Sequence, residues 1–360
     1  MASRRPTSPA AHVRPLDVDD LLVEILLRLP PQPSSLPRAA LVCKRWRRLV
    51  TDPQFARRFR AHHWTPSFLG FLLRYGSFVP AQDPLNRVPV SRFSLGKRGS
   101  ETSRWGWQLL GCRHGLILCE NTEEFLVFNP MSGDRRRIPF SAEIEVSTFI
   151  TAALVAAAGV VDCASFRLVA LFTDDAGTNV SASVYSSDSS VWVDSVATLV
   201  LPSPTVFIHY PSTLVGNAVY WLLDGVILQF DLETQSLAII EKPPDANVGD
   251  DFRCQIMATE DARFGLAVLA ESSILFWKRE TDPSSGAKWV LCRTVQLDRF
   301  LPLGKKGLRH PLGIMGISEE NNVIFLGTYF GIFMIHLELM QFRKVFEQTA
   351  INYIFPYSSF

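Results

Sequence analysis

The stretch HGLILCENTEEFLVFNPMSGDRRRIPF, residues 114–140, decides the fold of most of this 360-residue chain. It contains three short runs rich in apolar and β-branched residues. Between the runs stand Asn, Pro, Ser, Gly and Asp, which are typical turn formers. This pattern predicts three strands joined by tight turns. Residues 114–140 are therefore expected to form a small antiparallel sheet.

The same plan recurs further along the chain. Residues 217–244 and 321–347 each contain an apolar strand, a short gap, a second strand and a third. The second strands of the three copies are FLVFNP, ILQFDL and IFMIHL. Residues 166–196 and 263–297 are looser copies. The copies follow one another at a spacing of about 50 residues, which is typical of propeller blades with three or four strands each.

Residues 65–360 have room for roughly six such blades. PSFLGFLLRY (66–75) would begin the first blade, and YIFPYSSF (353–360) could supply a strand that closes the ring with it. Closure removes exposed sheet edges, which is a physical reason for the two ends to meet. An open stack of antiparallel sheets is the alternative. The Gly-Gly pair of kelch repeats and the Trp-Asp pair of WD repeats are both absent from the sequence.

The first 64 residues differ from the rest in charge. They hold twelve Lys/Arg against five Asp/Glu, a net charge of +7, while the remainder holds 24 against 30, a net charge of −6. This asymmetry predicts two units with different surfaces. Residues 1–15 are polar, basic and rich in proline, and we expect a disordered tail there.

Residues 16–63 predict three short helices. In LDVDDLLVEILLRLP (16–30) the spacing of the apolar residues predicts a helix, which the following prolines end. These residues share one helical face: Leu22, Ile25, Leu26 and Leu29. The third helix is expected after Asp52, a good N-cap, with proline at its first position and Phe55 stacked on Phe59.

The second helix is expected to run from Ser35 to Val50 and to be amphipathic. Its apolar stripe would contain Ala39, Val42, Cys43, Trp46, Leu49 and Val50. Its basic residues Lys44, Arg45, Arg47 and Arg48 would lie on the opposite side. Leu41 is the one apolar residue among these charges, and we expect it to be exposed in the free chain and covered by a partner.

Residues 16–63 resemble the F-box, in particular the F-box of grass and other plant proteins. The resemblance combines a Leu-Leu-x-Glu-Ile-Leu core, a Leu-Pro break, a Val-Cys-Lys-x-Trp core and an Asp-Pro-x-Phe third helix. Asp17-Val18 departs from the family, which usually has Leu-Pro before the acidic pair. Residues 65–360 resemble the F-box-associated C-terminal domain of plant F-box proteins, through Gly-Leu-Ile-Leu at 115–118 and Val-Phe-Asn-Pro-x-x-Gly at 127–133.

The resemblance implies a multi-domain chain, with a three-helix F-box at residues 16–63 followed by an all-β, propeller-like domain of roughly six blades. It implies binding to a Skp-type adaptor and, through it, to a cullin-RING ubiquitin ligase, while the second domain holds an unknown target protein. Such a chain would be a non-catalytic receptor subunit without cofactor or metal. The residues carried over as adaptor contacts are Leu21, Leu22, Ile25, Leu26, Leu29, Pro30, Leu41, Val42, Cys43, Lys44 and Trp46. Of these, Ile25 and Trp46 could equally serve the core of the helical bundle.

Two other functions are open at this point. A propeller-fold hydrolase of the glycosidase kind would use paired carboxylates, and the acidic pairs Asp174-Asp175 and Asp250-Asp251 fall in predicted turns. Acids in turns, however, usually stabilise the turn itself. A nucleic-acid binder would use the basic helices, but the overall charge of +1 and the acidic second unit disfavour it.

Several classes of protein are disfavoured. The chain contains neither an H-E-x-x-H nor a G-x-S-x-G motif, and its seven histidines are spread out. Six scattered cysteines and the lack of an apolar leader at the start predict a reduced chain in the cytosol or the nucleus. The most apolar run, residues 151–161, is too short to span a bilayer, so we expect no membrane partner.

Overall fold

A computed structural model describes most of the chain. The described residues are 18–63, 66–74, 76–81, 86–95, 106–146, 148–156, 163, 165–204, 211–223, 225–243, 246, 253–259, 261, 263–282, 286–299, 301, 312–318, 321–347 and 353–359. The chain divides into two units, Met1–Ser67 with Phe360, and Phe68–Ser359. The expected disordered tail, residues 1–15, and the pair Asp250-Asp251 lie outside the described residues.

The first unit contains short helices, and none of the helices in the described part of the chain is long and apolar enough to cross a membrane. They are α1 (Asp19–Leu27), α2 (Ser35–Ala40), α3 (Lys44–Val50) and α4 (Pro53–His62). The start of α4 is as predicted, since Asp52 Oδ1 accepts hydrogen bonds from the backbone N–H of Gln54 at 2.6 Å and of Phe55 at 3.4 Å. The rings of Phe55 and Phe59 stack with their centroids 6.1 Å apart.

The expected continuous helix from Ser35 to Val50 is wrong, because the chain breaks it into α2 and α3. The backbone at Cys43 is extended, with φ −163° and ψ 169°, and Cys43 is the N-cap of α3. Its Sγ accepts a hydrogen bond from the N–H of Trp46 at 3.5 Å. The break turns Val42 and Cys43 out of the predicted apolar stripe, and Val42 is 62% exposed.

The core of the first unit comes from all four helices. Leu22, Leu26 and Leu27 of α1 are buried together with Ala39, Val50, Phe55 and Phe59. Two ion pairs join α1 to later helices, Asp19 with Arg45 at 2.7 Å and Glu24 with Arg58 at 2.6 Å. Because exposed ion pairs contribute roughly 0–1 kcal/mol each, the bundle is held mainly by its apolar core.

The second unit is built of antiparallel sheets. In chain order the described strands are β1 (Ser67–Leu73), β2 (Phe78–Pro80), β3 (Gln108–Arg113), β4 (Leu116–Glu120), β5 (Glu124–Phe128), β6 (Arg135–Pro139), β7 (Thr148–Val155), β8 (Arg167–Thr173), β9 (Asn179–Ser186), β10 (Val191–Val200), β11 (Thr213–Val215), β12 (Ala218–Leu222), β13 (Val226–Asp231), β14 (Ser236–Glu241), β15 (Cys254–Ala258), β16 (Phe264–Ala270), β17 (Ser273–Asp282), β18 (Gly286–Gln296), β19 (Gly313–Ser318), β20 (Val323–Thr328), β21 (Gly331–His336), β22 (Gln341–Phe346) and β23 (Ile354–Ser359). A short helix, α5 (Ala142–Val146), precedes β7, and a 3-10 turn covers Val90–Phe93.

These strands form six blades, which confirms the predicted propeller. Blades 1 to 5 are four-stranded sheets made of consecutive strands: β3–β6, β7–β10, β11–β14, β15–β18 and β19–β22. Blade 6 has the order β2-β1-β23, so the last strand pairs with the first. This is the predicted closure of the ring. The strand β23 is innermost in its blade and contacts both β3 of blade 1 and β19 of blade 5.

The core of the propeller lies between blades. Successive side chains of a strand point to opposite faces of its sheet. In β4, Leu116 and Leu118 therefore enter the cluster shared with blade 2, while Ile117 and Cys119 enter the cluster shared with blade 6. Because both faces are covered, every residue of β4 is buried. This explains why the second strand of each four-stranded blade is a nearly continuous apolar run.

The seam between blade 6 and blade 1 is tightly packed. The rings of Phe78 and Phe93 stack with their centroids 3.6 Å apart, and Tyr357 of β23 meets Phe93 edge-on at 5.1 Å. The hydroxyl of Tyr357 donates a hydrogen bond of 2.9 Å to the backbone oxygen of Gly115 in blade 1. Strand β23 is thus held by pairing, by packing and by a buried polar contact.

Removing residues 353–360 tests whether closure stabilises the whole propeller. We expect the shortened chain to lose cooperative thermal unfolding and to aggregate, because β1 gains an open edge and two inter-blade clusters lose Ile354 and Tyr357. Differential scanning calorimetry and light scattering measure both effects. The matched variant Tyr357→Phe removes one hydrogen bond and should unfold cooperatively with a loss of about 1 kcal/mol. A truncated chain as stable as Tyr357→Phe would show that closure is dispensable.

Candidate functional site

The first unit exposes four large apolar side chains, two on α1 and two between α2 and α3, which together we call the F-box surface: Leu21, Ile25, Leu41 and Val42. Their exposed fractions are 49%, 41%, 77% and 62%. Leu21 and Ile25 stand one turn apart on α1, so they lie on the same face of that helix. Leu41 and Val42 are exposed where α2 ends and α3 has not begun. The predicted exposure of Leu41 is confirmed.

Two of the predicted adaptor contacts, Leu22 and Leu26, are buried in the core of the bundle, and their role as contacts stays a prediction. Leu22 and Leu26 are 0% and 1% exposed, because their side of α1 packs against α4 and its neighbours. For Ile25 and Trp46, which the sequence left divided between core and surface, the structure gives different answers. Ile25 is exposed, whereas Trp46 is half-buried against the core cluster.

The other predicted contacts surround the F-box surface in sequence. Pro30, Cys43 and Lys44 are exposed, and Leu29 is half-buried against the bundle core. Of the basic residues in α3, Arg45 is engaged with Asp19 of α1, so its charge is partly balanced within the bundle. The role of these residues as contacts stays a prediction.

The second candidate site is the channel at the centre of the propeller. A cavity of about 100 Å³ is lined by innermost strands of blades 1, 3, 4, 5 and 6. Its described polar groups include Arg113, His114, Gln255 and Ser318. Bulges in β3 between Leu109 and Gly111, and in β19 between Ile314 and Gly316, interrupt the regular ladder beside the channel. Bulges redirect side chains, so they shape this lining.

Polar groups around the channel tie adjacent blades together. Thr213 of blade 3 donates to the backbone oxygen of Ile256 in blade 4 at 3.4 Å. Asn321 donates to Ser318 of its own blade at 3.0 Å and to Ser358 of blade 6 at 2.6 Å. These hydrogen bonds occupy donors that a ligand in the channel could otherwise use. The polar groups of the channel wall therefore help to hold the blades together.

The described residues do not support a glycosidase. No Asp or Glu is among the described residues that line the channel, and no group of three or more potential metal ligands occurs in the described part of the chain. Glu120 is buried, and burial raises the pKa of its carboxyl well above the usual range, but it lies opposite Gln108 in blade 1 rather than in the channel lining.

The acidic pair at 174–175 stabilises a turn. Asp174 accepts hydrogen bonds from the Asn179 side chain at 2.6 Å and from the backbone N–H of Thr178 and Asn179 at 2.8 and 3.2 Å. These bonds lower the pKa of Asp174 to about 2, with the Asn179 side chain as the largest contribution. A carboxylate so engaged fixes the β8–β9 turn and is a poor general acid.

Two tryptophans connect blades in a way that the sequence did not reveal. The indole Nε1–H of Trp192 in blade 2 donates to the backbone oxygen of Pro139 in blade 1 at 3.0 Å. In the same manner, Trp289 of blade 4 donates to the backbone oxygen of Glu241 in blade 3 at 2.9 Å. The sequence placed these tryptophans in strands, in the core or at the channel mouth, but could not show which acceptor each would find.

Comparison with known protein families matches both units. The model of the F-box-like domain matches residues 19–62. The model "F-box protein AT5G49610-like, beta-propeller" matches residues 108–357, more than half of the chain. The chain belongs to this family of F-box β-propeller proteins.

Individual relatives of this F-box propeller protein agree with the family assignment. It is 26% identical over 325 residues to "F-box protein At5g49610" of Arabidopsis thaliana, covering 86% of each chain. It is 26% identical over 175 residues to "Putative F-box/kelch-repeat protein At1g32430" of the same plant, covering 49% of this chain and 42% of the relative. A solved extracellular domain of BT4673 from B. thetaiotaomicron aligns at 13% identity and a TM-score of 0.37, covering 71% of this chain and 29% of that protein. That structure is too distant to add to the assignment.

Replacing Asp174 with Asn tests its role in the turn. The pKa of Asp174 is depressed in the folded protein, so its carboxylate stabilises the fold above the ordinary pKa of 3.8, and this stabilisation disappears as pH falls towards about 2. We therefore expect Asp174→Asn to lower the midpoint of thermal unfolding at pH 7 and to lower it much less near pH 2. Asp175→Asn is the matched control, with no change expected at either pH. An equal loss at both pH values would contradict the electrostatic explanation.

Proposed function

We propose that this protein is the substrate-recognition subunit of an SCF-type ubiquitin ligase. An F-box implies binding to a Skp-type adaptor, and proteins of the F-box family are generally non-catalytic adaptors. In this proposal the first unit binds the adaptor and thereby the cullin-RING ligase, and the propeller binds a target protein. The chain itself contributes no catalytic residue, because the complex supplies the ubiquitin-carrying enzyme and the chain contributes proximity.

The F-box surface is the observation that carries the proposal. Four of the twelve exposed large apolar side chains in the described residues fall between Leu21 and Val42. Leu41 is 77% exposed and therefore contributes little to the stability of the helical bundle itself. Exposure of such a side chain is expected where another protein surface covers it. Interfaces are stabilised mainly by a few such apolar residues that become desolvated on binding.

The second unit provides a rigid surface for a target. Six inter-blade clusters fix the blades, so the strands that line grooves between blades are presented with little conformational freedom. Rigid presentation lowers the entropic cost of binding. We also propose the cytosol or the nucleus as the location of this complex, which fluorescence microscopy of the tagged chain would test.

Adaptor binding is tested with Ile25→Arg combined with Leu41→Arg. Both side chains are exposed, so the variant should fold as the original chain does, while two desolvated arginines would raise the dissociation constant for a purified Skp-type adaptor by about 100-fold. Isothermal titration calorimetry measures the affinity, and circular dichroism checks the fold.

The matched control is Leu339→Arg, since Leu339 is also a leucine with high exposure, 60%, but lies in blade 5. Its affinity for the adaptor should equal that of the unchanged chain. Undiminished adaptor binding by the double variant, or no binding by the unchanged chain, would refute the proposal.

A further inference from the structure

A groove of about 650 Å³ opens between blades 3 and 4. One wall is a row of directly paired residues across blade 3, Tyr220, Gln229 and Ala238. The opposite wall is formed by Phe264 and Arg279 of blade 4. The rings of Tyr220 and Phe264 stack at 4.1 Å with an angle of 13° between their planes, which joins the two walls.

The interface between blades 1 and 2 provides an internal comparison. The Trp192 bond to Pro139 and the Trp289 bond to Glu241 are equivalent, because both run from the outermost strand of one blade to the outermost strand of the preceding blade. Arg136 stands three positions before the acceptor Pro139 and pairs with Val127 of the adjacent strand. Ala238 likewise stands three positions before the acceptor Glu241 and pairs with Gln229. The two interfaces can therefore be aligned residue by residue.

This alignment shows why the groove exists. Ala238 occupies the place of Arg136. Arg279 occupies the place of Tyr185, because Arg279 pairs with Trp289 as Tyr185 pairs with Trp192. Between blades 1 and 2, Arg136 crosses the interface and donates hydrogen bonds to the Ser187 backbone oxygen at 2.6 Å, to Ser190 Oγ at 2.8 Å and to the Tyr185 hydroxyl at 3.3 Å. Between blades 3 and 4, alanine leaves that space open, and the guanidinium comes from the other wall.

Three polar groups in the groove lack a hydrogen-bond or ion-pair partner among the residues that the structure describes. Within the described part of the chain, the Tyr220 hydroxyl, the Gln229 amide and the Arg279 guanidinium make no hydrogen bond or ion pair. Arg279 is half-buried and lies 6.0 Å from the centroid of the Trp289 ring. Burial lowers the pKa of Arg279, which still remains protonated at neutral pH. A partly desolvated cation beside two neutral hydrogen-bonding groups, with no anion paired to it, is suited to an anionic ligand.

We propose that this groove binds the carboxylate of an acidic side chain on a peptide segment of the target. A guanidinium forms two parallel hydrogen bonds with a carboxylate. The ring of Phe264 and the side chain of Ile240 provide apolar walls for the stem of such a residue. This inference deepens the receptor role proposed above and rests on it.

The charges around the groove favour a single negative charge. The other guanidinium in the lining, Arg263, is paired with Asp261 at 3.3 Å. The charge of Glu241 acts on Arg279 from nearby without forming an ion pair with it. One available cation next to an existing carboxylate fits a monoanionic carboxylate better than a phosphate dianion.

The test titrates the full chain with the capped tripeptide acetyl-Ala-Glu-Ala-amide. The indole N–H signal of Trp289, assigned with Trp289→Phe, is followed by NMR because its ring lies beside Arg279. We expect saturable shifts with a dissociation constant of about 1 mM. The neutral isostere acetyl-Ala-Gln-Ala-amide should bind at least about tenfold more weakly. Equal binding of the two peptides, or no shift with the glutamate peptide, would overturn the proposal.

Two variants and one further peptide test whether the peptide binds in the groove and whether the groove prefers a carboxylate. Arg279→Met removes the cation and Ala238→Met fills the groove while keeping the cation, so each should weaken binding by at least about tenfold. Arg343→Met, an exposed arginine of blade 5, is the control and should bind normally. Tighter binding of acetyl-Ala-phosphoserine-Ala-amide, or normal binding by Ala238→Met, would overturn the assignment. Adaptor affinity, measured on the same variants, should be unchanged, which separates a failure here from a failure of the ligase proposal.

Discussion

The pairing of β23 with β1 is the constraint on which the propeller depends. It joins the two ends of the unit in one sheet. It also completes the clusters on both sides of blade 6, because Phe355 and Tyr357 pack towards blade 1 and Ile354 packs towards blade 5. The loop closed by this pairing is nearly the whole unit, so its entropic cost must be offset by contacts formed throughout the ring. Closure and blade packing therefore stabilise each other.

Much of this architecture is predictable from sequence where local pattern and final packing agree. The second strands β4, β12 and β20 of their blades are apolar runs because neighbouring blades cover both of their faces, and they were recognisable for that reason. Where the local sequence pattern and the final packing disagree, the prediction fails. Residues 35–50 have a helical period, yet the chain leaves the helix at Cys43, whose thiol caps a new one. A thiol is a weak acceptor, and it is not a usual N-cap signal.

The candidate site is predictable to a lesser degree, because exposure is decided by packing between elements. Leu21 and Leu22 are adjacent leucines in the sequence, but α1 buries only the second against the rest of the bundle. Leu41 was identified because it stands among charges. The groove at Arg279 was invisible, since it depends on an alanine replacing the equivalent of Arg136, which lies in a different repeat. That comparison requires knowing which residues pair between neighbouring strands, and the repeated sequence pattern alone does not show this pairing.

Repetition explains how one interface can diverge while the ring stays intact. The bridging bonds of Trp192 and Trp289 connect the outermost strands of neighbouring blades in the same way, although different side chains lie between the blades. At the interface of blades 1 and 2 that space is filled by an arginine whose donors are satisfied. At the interface of blades 3 and 4 the same arrangement leaves the space open, and the half-buried Arg279 lines it. Because each blade is supported by two neighbours and by closure of the ring, unfilled volume at one interface is tolerated. A binding site of this kind is therefore obtained by leaving out one side chain rather than by building a new loop.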